Sequence, residues 1–158
     1  MADIPSKMLY GTAQTVINTT TDIAASNFSG APSATFDNTT DAAVPYALYA
    51  EAMLEAPDWA AAPVAGTQIE LWGVLKDIDG TDDDTDAPSG TTVGGARMFG
   101  AWTIAAADAL QRRTITISLL GCRKVDFYIR NGTAQNMNND GGTACVVKIT
   151  PFSIGVTQ

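Results

Sequence analysis

Six aspartates fall within the ten residues 77–86, Asp-Ile-Asp-Gly-Thr-Asp-Asp-Asp-Thr-Asp, and they are the densest chemistry in the chain. A hard cation such as calcium takes several oxygen ligands from a flexible loop, and Asp77, Asp79, Asp82 and Asp84 could supply them. The spacing is not that of an EF-hand, which needs glycine at its sixth position and glutamate at its twelfth. Counting from Asp77 puts Asp82 and Pro88 there. The expectation is therefore a solvated, self-repelling loop that projects from the domain. Calcium binding is the weaker alternative, and no cofactor is expected.

Other reactive residue types lack partners. The chain has no histidine, so its serine, threonine and cysteine hydroxyls and thiols are without the commonest activating base, and the usual zinc or iron ligand is missing. Lys76 and Lys148 stand in no serine-x-x-lysine arrangement, and the glycines at 90, 94, 95 and 100 precede no phosphate-cradling lysine. Cys122 and Cys145 could pair if their strands are neighbours, but buried thiols are the expectation. Trp59, Trp72 and Trp102 could present flat faces to a sugar, although packing inside the protein or between subunits is the commoner use of the indole. No catalytic residue is assigned, and an enzyme is not expected.

The elements that would position these residues read as strands. Segment 113–119 alternates, with Ile115, Ile117 and Leu119 on one face and Thr114, Thr116 and Ser118 on the other. Segment 124–130 repeats the pattern, Val125, Phe127 and Ile129 inward and Lys124, Asp126, Tyr128 and Arg130 outward. The short Leu120-Gly121-Cys122-Arg123 between them predicts a hairpin. A third run, 143–150, places Cys145, Val147 and Ile149 together, and Pro151 is expected to close it, since proline cannot donate to a ladder. Upstream, 68–75 sets Ile69, Leu71 and Gly73 on one face; Trp72 and Val74 imply a second apolar contact outside. Segment 46–54 fits helix or strand and is assigned strand from its neighbours; 12–22 and 97–104 complete the set, with a single helical turn possible at 105–110. About eight strands separated by loops rich in glycine, proline, asparagine and aspartate predict an all-β, single-domain β-sandwich or jelly roll of antiparallel strands. Residues 1–11 read as an extended N-terminal arm, and 12–158 as the domain.

Composition narrows the partners. The 158 residues are 46% apolar and 16% charged, with nine basic against seventeen acidic side chains. A charge of −8 lacks the basic footprint that nucleic acid needs, so no nucleic-acid partner is expected. Residues 1–96 carry two basic and fourteen acidic groups; residues 97–158 carry seven and three. Such halves could form a bipolar surface for self-association, or interleave in one fold and average out. The first sixteen residues contain one lysine and no long apolar run, and no stretch approaches the roughly eighteen apolar residues of a membrane span, so a soluble chain made in the cytoplasm, without membrane contact, is expected. The N-x-S/T matches at Asn18, Asn27, Asn38 and Asn131 are then products of composition.

The order Ile-Glu-Leu-Trp-Gly-Val-Leu-Lys-Asp-Ile-Asp-Gly-Thr-Asp-Asp (69–83), Gly-Ala-Arg-Met-Phe-Gly-Ala-Trp (95–102), Leu-Gln-Arg-Arg-Thr-Ile-Thr-Ile (110–117) and Asp-Phe-Tyr-Ile-Arg-Asn-Gly-Thr-Ala-Gln (126–135) resembles small virion proteins of tailed bacteriophages. The resemblance spans roughly residues 10–155. It implies a jelly roll seated on the capsid surface as a decoration or cement protein, bound to the major capsid protein and assembled with copies of itself as a trimer. Such proteins carry no active-site residues to transfer. Similar sandwiches in phage tails, baseplates and head fibres supply the alternative, an adhesion module binding host carbohydrate. On the decoration reading, Met8, Leu9 and Tyr10 of the arm and the outward Trp72, Arg112, Tyr128 and Arg130 are the interface candidates, because aromatic and arginine side chains are enriched at interfaces.

Overall fold

The computed structural model describes residues 6–76, 86–137 and 143–156. Within them lie nine strands and no helix: β1 (Ser6–Tyr10), β2 (Gln14–Thr19), β3 (Phe36–Asp37), β4 (Tyr49–Ala56), β5 (Gln68–Lys76), β6 (Arg97–Thr103), β7 (Gln111–Ser118), β8 (Lys124–Asn131) and β9 (Cys145–Val156). β2 pairs with β9, β3 with β8, β4 with β7 and β5 with β6, all antiparallel. The chain thus runs out and returns beside itself like one long hairpin whose tip is the β5–β6 connection. Rolling that ribbon lets β9 pair with β4 and β8 with β5, and gives two sheets in the orders β2-β9-β4-β7 and β3-β8-β5-β6. This nested order is that of a jelly roll, the all-β sandwich expected from the alternating segments.

The core follows from that alternation. Ala50, Ala52, Leu54 and Ala56 of β4 point inward and are fully buried. Alanine-rich and favourable to helix in isolation, this segment is a central strand because β7 and β9 satisfy its backbone on both sides. Its small side chains leave room for Trp102 of the facing sheet, whose Nε1 donates to the Ala52 carbonyl at 3.0 Å. Phe127 packs edge-on against Phe36 and Phe99, with centroids 5.9 and 5.0 Å away.

Several local expectations change. β7 and β8 do not form a hairpin: they lie in different sheets, and the turn at 119–122 carries the chain across the sandwich. Alternation names the buried face but not the neighbour, and here the two buried faces meet across the core. Pro151 does not end its strand; β9 continues to Val156. The Pro151 carbonyl accepts from Gly11 N–H at 2.8 Å. In an antiparallel strand a residue's N and C=O point the same way, so the missing N–H falls at the break between β1 and β2, away from β4. Residues 105–110 form no helical turn, because the Gln111 amide closes the loop instead, bonding Ala105 N–H at 2.9 Å and the Ala105 and Ala107 carbonyls at 3.0 Å. Within the segment read as an arm, β1 is extended and adds to the edge of its own sheet, on β9 from Phe152 to Val156.

Two of the Asn-x-Thr matches are structural. Asn131 donates to the Ile23 and Gln135 carbonyls at 2.9 and 2.8 Å and accepts from Thr133, fully buried. Asn38 donates to the Ala47 and Cys122 carbonyls at 2.9 and 3.0 Å, tying two loops together. The charge asymmetry interleaves: Lys76–Asp126, Arg112–Glu55, Lys124–Asp37 and Arg130–Glu70 each join a residue before 97 to one after it.

Candidate functional site

The outer faces of the two sheets differ, and the difference locates the site. Outside the four-stranded sheet, residues 26–29 run alongside β8, with Ser29 N–H on the Ile129 carbonyl at 2.7 Å. The loop from residue 86 to 96 folds back over the sheet and is held there by Phe28 N–H on the Gly90 carbonyl at 2.8 Å. Its tight return needs Gly94 at φ 62°, where a Cβ would strike the Asp86 carbonyl. Under this cover Phe28, Val74, Ala96 and Tyr128 form a second buried cluster with Trp72 and Val93 packed on it. The second apolar contact expected outside 68–75 is therefore made within the chain.

That cover buries one interface candidate and packs two others partly into the protein. Tyr128 is 6% exposed. Trp72 is half-buried edge-on against Phe28 and donates from Nε1 to Glu70 Oε2 at 2.8 Å. Arg130 lies over the Phe28 ring, 5.9 Å from its centroid, and reaches the same Glu70 oxygen at 3.4 Å. Arg112 does face solvent, from the open end of β7, and pairs with Glu55 at 3.1 Å.

Met8, Leu9 and Tyr10 are exposed as expected, and they belong to a larger apolar region. On the uncovered outer face of the other sheet, Tyr10, Phe152 and Tyr49 form a row across β1, β9 and β4, with ring centroids 5.7 and 5.9 Å apart. Met8 and Ile154 are paired two residues further along the same face. Desolvation and the Glu51 carboxylate 3.3 Å away push the Tyr10 phenol above its usual range. Around the corner, where β4, β6 and β8 begin and β7 ends, stand Tyr46, Leu48, Met98 and Leu120. Among the described residues, eleven large hydrophobic side chains are exposed, and of these only Val64 and Leu110 lie at the opposite end.

The apolar end is also concave. A cavity of about 340 Å³ opens between Tyr46, Leu48, Leu119, Cys122 and Arg123, with Asn38 in its wall. A second hollow of about 230 Å³ lies between Arg97, Phe99, Ser118 and Leu120. The rim is built by loop 38–48, which Asp41 folds: its carboxylate accepts from the Thr12, Ala43 and Val44 N–H groups, Thr12 first, and these bonds hold it below the usual carboxylate range. Concavity flanked by exposed aromatic and aliphatic groups suits the capture of apolar side chains from another protein.

The arrangement offers less to reaction chemistry. Cys122 and Cys145 are both free and buried. Burial pushes the Cys145 thiol up to about 12, and it raises Cys122 as well, against the opposing pull of Arg97, whose guanidinium donates to Sγ at 2.8 Å. Trp59 and Trp102 are 3% and 1% exposed, so the flat faces a sugar platform needs are inside. The weak calcium candidates Asp77, Asp79, Asp82 and Asp84 lie outside the described residues. Among the described residues, no three acidic or cysteine side chains gather as metal ligands.

Sequence reasoning found the β1 part of the apolar region and missed Tyr46, Leu48, Tyr49, Met98, Leu120 and Ile154. Tyr49 was accessible in principle, since it lies out of phase with the buried Ala50, Ala52 and Leu54. Ile154 joins Met8 through the β1–β9 ladder, and Tyr46, Leu48, Met98 and Leu120 come together only where strand ends and loops meet at one end. The chain matches no protein-family model, no curated protein and no solved structure.

Proposed function

We propose that the protein is a non-enzymatic virion structural protein, a decoration protein that binds the outer surface of a tailed-phage head and stabilises contacts between capsomers. The observation that supports this most is the concentration of exposed apolar side chains at one end of the sandwich, around a cavity of protein side-chain size. A soluble domain rarely leaves such a patch unless another protein covers it. The resemblance to virion jelly rolls names the partner, the major capsid protein. Several copies held together, as in the proposed trimer, would engage several capsomers at once, so individually weak contacts gain through effective concentration. The carbohydrate alternative loses its footing, because Trp59 and Trp102 are buried and Trp72 packs on Phe28.

The test is cosedimentation of the purified protein with phage heads that lack it. Saturable binding is expected, and the pair Tyr46→Ser with Leu120→Ser should weaken it at least tenfold, about 1.4 kcal/mol, while leaving the unfolding midpoint close to wild type. Failure of the wild-type protein to bind overturns the proposal. Light scattering should give a whole multiple of three 16.5 kDa chains, about 50 kDa for each trimer.

A further inference from the structure

β1 and β2 lie end to end along one edge of the five-stranded sheet, yet only one of them is open. The outer edge of β2 is covered: Ser33 N–H and Ala34 N–H reach the Val16 carbonyl at 2.9 and 3.4 Å, and the Ser33 hydroxyl accepts from Asn18 N–H at 2.8 Å. No such cover lies along β1 among the described residues. The register shows which of its groups face outward. Gly11 N–H bonds the Pro151 carbonyl, so Gly11, Leu9 and Lys7 direct their backbone groups toward β9. Their neighbours Ser6, Met8 and Tyr10 alternate with them and direct N–H and C=O away from the sheet.

We propose that this edge pairs with the same edge of a second copy, antiparallel and about a two-fold axis at Met8. The strand is self-complementary in that register. Ser6 faces Tyr10 of the copy, Met8 faces Met8, and Tyr10 faces Ser6: three pairs in which every outward donor meets an acceptor, two hydrogen bonds to a pair. A register shifted by one residue would set outward groups against inward ones. Side chains agree with the choice. Met8 of each copy meets on the face that already carries Tyr10, Phe152 and Ile154, which extends the apolar row from one sheet into the next. Lys7, the only charged residue of β1, stands opposite Leu9 of the copy rather than opposite its own equivalent. Two sheets then become one continuous sheet, closing an edge that is otherwise a template for indiscriminate pairing. The inference does not depend on the capsid proposal, and in a trimer the same edge would join one ring to the next.

Cysteine substitutions test the register directly. With Met8→Cys, the paired Cα atoms stand about 5.5 Å apart, within disulfide reach. Oxidised glutathione should convert the two thiols to an intermolecular disulfide while it is reduced to two thiols. Cys122 and Cys145 are buried and should stay out of the reaction. Lys7→Cys and Leu9→Cys should each cross-link poorly alone and well when mixed. A Met8→Cys yield no higher than that of Val64→Cys, at the far end of the sandwich, overturns the pairing. Met8→Pro supplies a second measurement: it deletes an N–H that points away from β9, so the fold should persist with an unchanged unfolding midpoint while the particle mass falls to half. An unchanged mass with the fold intact also overturns it.

Discussion

The two sheets were built by the same alternation and ended with opposite exteriors. Outside the four-stranded sheet, Trp72, Val74 and Tyr128 are roofed by residues 26–29 and 86–96 and make a second, smaller core. Outside the five-stranded sheet, Met8, Tyr10, Tyr49 and Ile154 have no roof among the described residues, and between 45% and 69% of each surface is open to solvent. Both exteriors carry aromatic residues at outward positions, so residue type does not separate a packing face from a binding face. What separates them is whether a connection long enough to fold back happens to cross the sheet. Residues 26–29 and 86–96 do so outside the four-stranded sheet, whereas no described connection covers Met8, Tyr10, Tyr49 and Ile154.

Substitutions can break this contrast. The largest effect is expected at Tyr128→Ala, which empties a buried ring site and should cost about 3 kcal/mol in urea unfolding, against under about 1 kcal/mol for Tyr10→Ala on the open face. Equal losses would show that the roof contributes little. A smaller contrast compares two glutamates. Glu70→Ala strips the acceptor shared by Trp72 and Arg130 beneath the roof and should cost about 1–2 kcal/mol. Glu55→Ala removes a pair whose arginine is 66% exposed, and should cost no more than about 0.5 kcal/mol. Chemical denaturation of both variants at low and high salt checks the ranking, because only the exposed pair should respond to salt. The smallest effect concerns the rim of the apolar end. The folded state holds Asp41 below its unfolded value, so its contribution is present above about pH 4 and disappears as pH falls through the lower, folded value. Asp41→Asn should therefore flatten the acid side of the stability profile below about pH 4, with little change at pH 7 beyond the loss of its charge-assisted bonds.

Legibility followed the same division. The alternating segments are readable because a half-buried strand repeats every two residues, and that period alone places Ile69, Leu71, Ile117, Val125, Phe127, Ile129, Val147 and Ile149 inside, where they are buried. The strand at 49–56 was less clear because alanine and methionine prefer helix when alone, and only two flanking strands overrule them. The hairpin expected at 120–123 failed for a different reason: a tight turn reverses direction equally well within a sheet or between two. Pro151 misled because the rule against proline inside a strand holds only where its N–H would have had a partner.

Taken by itself, the sequence determined the all-β class, the inward residues of most strands, and the absence of histidine-based chemistry, because periodicity and composition are local properties. It also marked Met8, Leu9 and Tyr10 as surface apolar residues at the start of the chain. Tertiary structure alone decided which strands became neighbours, which outward aromatics were covered, and where the remaining exposed ones gathered. Those outcomes depend on contacts between segments as far apart as Tyr10 and Phe152, or Phe28 and Arg130, and on backbone hydrogen bonds that carry no side-chain signature. The open edge of β1 belongs with them: its outward N–H and C=O groups are identical in every residue, and only the register against β9 says which way they point.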